Sequence, residues 1–483
     1  MEARLARLRS ADRGSGDGVE LSDLTGVPQS GDPPLDLTFD FHARPFGTHA
    51  LHPFAAKFPP ALARWAIEQF TRPDDWVLDP CAGSGTALVE ARLLGRNAAG
   101  SDIDPLAVLI SRVKSMPLAA ERVLAAKTLA DTAWQSHASD CATAGGCGIS
   151  LPDIPHRDYW FHPAVQHDLA HLRDAIGAVP DRAARDVLLV VYSSIIIAKG
   201  PSTVANALDI AHSRAHHLER AIPPDVRARF EERFARALRG ITAFAAAAEH
   251  RVESVVCAAD ARALPYRSRS IDLVLTSPPY VTAIEYPRAH KFSIWWIGEL
   301  LGVPSRIYES LRSRYIGTEN VHRDQRATLR AVATGLPTVD RVTTDLDAVS
   351  ETRGGRARRY FADMRAVLGE ILRTLRPGGA AVLVVGDSLL SGVRVPTADC
   401  LTEIAESLTR DGDRLVLQDS VLRTIRAQNR QLPIKRGRNG EGMRIERVLV
   451  FERRPARRAE PAPDQASAPA TRPFTAATSV DQP

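Results

Sequence analysis

Trp76-Val77-Leu78-Asp79-Pro80-Cys81-Ala82-Gly83-Ser84-Gly85-Thr86 passes from an apolar triplet through an acid into a glycine-spaced turn. The triplet reads as a buried strand. Ala87–Leu94 after the turn reads as a helix, closed by Gly95 at a position that favours a left-handed residue. Gly83 and Gly85 let the backbone approach a ligand closely, and amides at the helix start favour an acceptor. Asn97–Ser101 is a second strand, ending at Asp102-Ile103-Asp104-Pro105. Strand, glycine turn, helix, strand and acid predict the opening of a Rossmann-like α/β unit. Asp102 stands where such an acid reaches ribose hydroxyls, about twenty residues past the glycines. Asp104 is the competing choice, and either acid also suits a helix cap.

A second stretch, Ile271–Tyr280, reads IDLVLTSPPY. Its apolar run predicts a buried strand, and two consecutive prolines, which have no amide hydrogen to donate, must end it. They leave a rigid corner with unclaimed carbonyls, a hydroxyl (Ser277) on one side and an aromatic face (Tyr280) on the other. Such a corner suits a planar base whose exocyclic amine needs acceptors. By itself the string reads equally well as a proline-terminated loop.

Taken with Asp79–Thr86, it resembles the amino-methyltransferases that use S-adenosylmethionine, and the SPPY form is typical of the DNA cytosine-N4 branch. The resemblance covers residues 45–115 and 250–452, with the cofactor motif first and a long insert before SPPY, an order similar to that of the α group. It implies that Asp79 meets the cofactor's methionine ammonium, with Gly83 and Gly85 beneath the ligand and Cys81 and Thr86 in the same turn. It implies that His52–Pro60, with Lys57 and Phe58, folds over the methionine end. Asp260, after the third strand, resembles the acid that accepts from the adenine amine; an ordinary turn cap reads as well. Ser277, Pro278, Pro279 and Tyr280 would carry the transfer, the first two by accepting from the target amine and Tyr280 by stacking on a base taken out of the duplex. Adenine-N6 enzymes of the family usually carry Asp or Asn where this chain has Ser277, which favours cytosine. An adenine-N6 or RNA methyltransferase, or a cofactor-binding regulator without turnover, is the alternative. The family also makes a restriction endonuclease a partner to test for; the sequence names none, and gives no oligomeric state.

The 483 residues, 44% of them hydrophobic and 25% charged, predict a soluble globular chain of two or three domains in the cytoplasm. Five scattered cysteines, without CxxC or His/Cys zinc spacing, predict a reducing compartment and no metal. Cys81 and Cys257 read as packing residues, since the chemistry needs no covalent nucleophile. The apolar run Val187–Ala198 is too short to span a bilayer and reads as a buried helix or strand. A net charge of +5 permits nucleic acid without demanding it.

The expected fold is α/β, a Rossmann-like methyltransferase sheet with an inserted helical domain and a terminal antiparallel strand pair. Residues 1–34 and 455–483 lack apolar periodicity and read as disordered. Residues 35–118 form the cofactor half, 119–250 the helical insertion, with target recognition implied there by the resemblance, and 251–454 the catalytic half. Residues 303–358, rich in arginine, read as a long mobile excursion able to share in recognition. Tyr286–Lys291 is an aromatic-basic segment. Between Leu422 and Arg458 twelve basic residues face three acidic ones, so a phosphate contact is expected there, centred on Arg430, Lys435, Arg436 and Arg438.

Overall fold

Every residue of Ile271–Thr276 is buried, as expected of a strand covered on both faces, and the sheet is built around it. The computed structural model describes residues 46–55, 57, 59–143, 149–198, 202–208, 215–281, 286–318, 333–424 and 445–455. The terminal stretches, Phe58 and the arginine loop with Arg430, Lys435, Arg436 and Arg438 lie outside them. Strands are numbered along the chain: β1 (Trp76–Asp79), β2 (Asn97–Asp102), the short pair β3 (Ala207–Leu208) and β4 (His216–His217), β5 (Ser254–Ala258), β6 (Ile271–Thr276), β7 (Leu375–Val385), the short pair β8 (Ser388–Leu390) and β9 (Val393–Val395), β10 (Thr409–Arg410), β11 (Asp413–Thr424) and β12 (Ile445–Pro455).

The main sheet has the order β10-β11-β12-β7-β6-β1-β2-β5. Its half from β7 to β5 is parallel throughout, and β12, β11 and β10 join antiparallel. This is the expected α/β sheet with its terminal antiparallel pair. The order reverses between β1 and β6, so their carboxyl ends open a crevice at the switch point, where ligands bind in sheets of this kind.

Strand alternation distributes the core. Val77, Leu273 and Leu275 pack with helices Pro60–Phe70 and Thr86–Leu93 on one face. Leu78 and Val274 turn to the other, where helices Pro337–Val349, Glu351–Thr374 and Thr397–Ser407 cover them. The run Val187–Ala198 falls largely in a helix, Arg182–Ile196, buried from Asp186 onward. The insertion helices share one core with helix Pro105–Ser115 and with Phe292, Trp296 and Tyr308. They therefore pack onto the flank of the first half-sheet.

Two expectations are corrected. Residues 303–358, read as an excursion without regular structure, are largely helical where described: they hold helices Ser305–Leu311 and Pro337–Val349 and the start of Glu351–Thr374. Arginine is a good helix former. Gly354 also lets the last two helices close, since a Cβ there would meet the Asp347 side chain and backbone amide, and the Asp347 carboxylate pairs with Arg358. Arg376–Gly379, read as a turn, lies within β7: the register jumps from Ile271↔Leu375 to Leu273↔Ala380, and the four residues Arg376–Gly379, opposite Asp272 alone, bulge out of the pairing.

Candidate active site

The glycine turn is held open by the second strand. Asp102 Oδ2 accepts from the Gly83 amide at 2.9 Å and its Oδ1 from the Asp104 amide at 2.9 Å. Gly83 has φ +48°, and a Cβ there would meet the Phe54 ring at 3.2 Å. Gly85, at φ +74°, has a different duty. A Cβ would lie 2.9 Å from Ser111 Cα, so this glycine permits helix Thr86–Leu93 to approach helix Pro105–Ser115. Gly85 is not among the residues lining the crevice, although its neighbours Ser84 and Thr86 are. Gly85→Ala combines a left-handed backbone with a backbone clash and should cost roughly 2–4 kcal/mol, measurable by denaturant unfolding.

The crevice encloses about 870 Å³, part of it open to solvent. Asp79, Cys81, Gly83, Thr86 and Asp102 line it from the glycine side, Lys57 and Phe54 from the N-terminal segment, and Asp260, Ser277 and Pro279 from the far strands. It thus gathers most of the residues singled out in sequence. Pro278 is buried, and Tyr280 is not among the lining residues.

Asp79, 2% exposed, accepts from Thr276 Oγ1 at 2.7 Å and from the Cys81 amide at 3.1 Å. Burial outweighs these bonds and, with the nearby Asp102 charge, pushes its carboxyl up to about 7. Burial and the Asp104 charge likewise raise Asp102 to about 6, against the two amides it accepts from. The crevice therefore presents two carboxyls that a cation would stabilise in their charged forms. An acid whose pKa is higher folded than unfolded takes up a proton on folding. From Asp79, stability is therefore greatest at low pH and declines as pH rises from about 3.8 towards about 7. Asp79→Asn should abolish that decline, so the variant gains on the wild type as pH is raised, readable from paired melting curves.

Asp104 answers the ambiguity left by the sequence. Its Oδ1 caps helix Pro105–Ser115 through the amides of Leu106 and Ala107. Its Oδ2 accepts from His290 Nδ1 (2.8 Å), Tyr308 (3.1 Å) and Tyr315 (2.7 Å). Burial alone would raise its carboxyl, but His290, Tyr315 and the Ala107 amide together hold it below the ordinary range. Asp104 is a structural hub whose oxygens are taken up by the protein, although both it and Asp102 line the crevice. Asp260 also has a protein partner: Arg262 grips both its oxygens at 2.7–2.9 Å and pairs with Asp363 at 2.6 Å. Arg262 Nη2 also donates to the Arg314 carbonyl, and Tyr315 is held by Asp104. The segment 314–316 is thereby pinned across the crevice, which it lines.

Tyr286, His290, Arg314 and Tyr315 are lining residues that the sequence did not assign, while Phe54 belongs to the segment His52–Pro60 expected there. The aromatic-basic segment 286–291 was a signal for the first two. Nothing local to Arg314 or Tyr315 signals a place opposite Asp104. His52 is buried and bonded to Ser193 Oγ (2.8 Å), tying the N-terminal segment to the insertion. Among the described residues no helix is long and apolar enough to cross a membrane, and no His/Cys/Asp/Glu group is arranged to hold a metal.

A family model described as DNA methylase, for N6 and N4 methyltransferases, matches residues 31–112. The Type II methyltransferase M.MvaI of Kocuria varians is 24% identical over 373 residues, 74% of this chain and 80% of that protein. The Type II methyltransferase M.MjaII of Methanocaldococcus jannaschii is 38% identical over 82 residues, 16% of each chain. Among solved structures, a SAM-dependent methyltransferase of Methanosarcina mazei is 10% identical, over 82% of this chain and 98% of that one. Its TM-score of 0.28 is too low for its site to be laid over this one.

Proposed function

Since the chain belongs to the DNA amino-methyltransferase family, we propose that it moves a methyl group from S-adenosylmethionine to the exocyclic N4 of cytosine in DNA. The observation that carries this reading is one crevice at the switch point that takes the glycine turn on one wall and Ser277 and Pro279 on another. A donor bound by the first wall is presented to an acceptor held by the second.

The residues fit the donor. Asp79 is a buried carboxyl and Asp102 a half-buried one, both raised by their surroundings, and a ligand carrying an ammonium and a sulfonium would hold them in their charged forms. Gly83 leaves the floor free of side chain, while Lys57 offers a cation at the mouth. Asp102 is assigned the ribose and Asp260 the adenine amine, the latter through lone pairs left beside Arg262. Phe58 keeps its place over the methionine end in this proposal. When bound, S-adenosylmethionine supplies an electrophilic methyl group.

The chain's own residues do the rest. Cytosine N4 is a poor nucleophile because its lone pair is delocalised into the ring. The Ser277 hydroxyl and the Pro278 carbonyl accept its two N–H bonds and draw the nitrogen towards tetrahedral geometry, which returns the lone pair to the nitrogen. Positioning and electrostatics carry the rate, without a covalent enzyme intermediate: the nitrogen bonds the methyl carbon as the carbon–sulfur bond breaks to leave a neutral thioether, and it then gives up one proton to solvent. The serine at 277, shorter than the Asp or Asn usual for adenine and uncharged, sets the amine closer to the backbone and favours the smaller ring. Phosphate contact is assigned to Arg430, Lys435, Arg436 and Arg438, and target recognition to segments 119–250 and 303–358 flanking the duplex.

The test is to expose unmethylated DNA to the protein and donor, digest it, and separate the nucleosides by mass. N4-methyldeoxycytidine is expected. N6-methyldeoxyadenosine alone would overturn the base, and methylation of RNA alone would overturn the substrate.

A further inference from the structure

The phenol of Tyr280 donates to Glu446 Oε1 at 3.0 Å. The other oxygen of Glu446 is held by Arg423, whose side chain is 4% exposed. Glu446 and Arg423 are neighbours on adjacent strands: the β11–β12 register pairs Arg423 directly with Glu446. β12 is bonded to β7, and β7 to β6, the strand that ends in the Ser277 corner. The Tyr280 ring is therefore fixed at its backbone by the end of β6 and at its hydroxyl by a carboxylate two strands away. Nothing in the SPPY string calls for the second attachment.

We propose that Glu446, locked by Arg423, is a positioning residue that sets the plane of the Tyr280 ring for the target base. The inference rests on the methylation reading above. Its physical basis is the cost of misplacement. Tethered only at its Cα, a tyrosine beside a proline corner keeps two torsional freedoms. A charge-assisted bond from phenol to carboxylate removes them. Burial first, and then the Glu446 charge, raise the Tyr280 phenol well above its usual range, so the phenol stays protonated and the carboxylate remains the acceptor. A displacement of about 1 Å at a reacting centre can cost up to about 10²-fold in rate.

The competing explanation is that the Arg423–Glu446 pair only closes the β11–β12 hairpin. The two differ in whether Glu446 acts through Tyr280. The experiment uses the full chain, unmethylated DNA and S-adenosylmethionine, with single-turnover transfer rates, calorimetric donor affinity and melting curves. Glu446→Ala should slow transfer about tenfold with donor affinity unchanged, and Glu446→Gln, which keeps an acceptor oxygen, should recover most of the rate. Tyr280→Phe should slow transfer to a similar degree. The double variant Tyr280→Phe with Glu446→Ala should be no slower than the worse single variant. Losses that multiply in the double variant, or a wild-type rate in folded Glu446→Ala, would overturn the proposal. If Glu446→Ala does not fold, the same cycle is run with Glu446→Met, which fills the space without an acceptor oxygen.

A readout independent of turnover separates this proposal from the methylation reading. In protein labelled with 3-fluorotyrosine, the fluorine resonance of Tyr280, assigned by its loss in Tyr280→Phe, should move in Glu446→Ala and hold nearly still in Glu446→Gln. An unmoved resonance in Glu446→Ala would overturn the tether whether or not the wild type methylates DNA. Absence of transfer by the wild type, with the resonance moving as expected, would count against the methylation reading alone.

Discussion

Ser277→Ala should lower the single-turnover rate of methyl transfer by about 10²–10³-fold, the scale of losing one preorganised hydrogen-bonding group at a developing charge. Donor affinity should stay close to that of the wild type. Both expectations follow from where Ser277 stands. It is the first residue after β6 and lines the crevice, half-buried, beyond the strand whose side chains make the core. Removing its hydroxyl opens no cavity between Val274 and the helices behind it. It deletes an acceptor that the target amine needs when its nitrogen leaves the ring plane. The donor wall, built on Asp79 and Gly83, is untouched. A rate within a few-fold of wild type would move the catalytic corner elsewhere.

Asp79→Asn should weaken S-adenosylmethionine binding by about 10–100-fold, the range of a hydrogen bond to a charged group. Asparagine is the informative substitution because its oxygen can still accept from Thr276 and from the Cys81 amide, the two donors that Asp79 satisfies. Alanine would leave both buried and unpaired, and would mix a folding defect with the binding defect. The wild-type affinity should itself fall as pH drops through about 7, because a protonated Asp79 no longer stabilises a cation. In the variant that pH dependence should flatten. Calorimetry across pH on both proteins reads the two effects together, and parallel curves would remove Asp79 from the donor site.

How much could be read from sequence follows the range of the interactions. Trp76–Thr86 and Ile271–Tyr280 declare themselves because strand, turn and corner are each written in consecutive residues. Their meeting at one crevice follows from the parallel sheet and its switch point. Asp104 could not be separated from Asp102 in the same way. What distinguishes them is the arrival of His290, Tyr308 and Tyr315, and these partners lie 186 to 211 residues further along the chain. The Tyr280–Glu446 bond, spanning 166 residues, was equally invisible. Glu351–Arg359 misled for a local reason: arginines and paired glycines look like loop. In the fold the glycine admits a neighbouring helix and an arginine binds Asp347. The packing duty of Gly85 was equally hidden, because a glycine beside a ligand turn and a glycine beside a helix leave the same letter.

The account stands or falls on whether one crevice joins donor and acceptor. The direct measurement is to incubate the protein with unmethylated DNA and S-adenosylmethionine labelled in its methyl group, alongside Ser277→Ala and Asp79→Asn. The account predicts label in the DNA with wild type, loss of label with Ser277→Ala at full donor binding, and reduced label with Asp79→Asn that returns at high donor concentration. A wild type that binds the donor tightly and leaves the DNA unlabelled would contradict it.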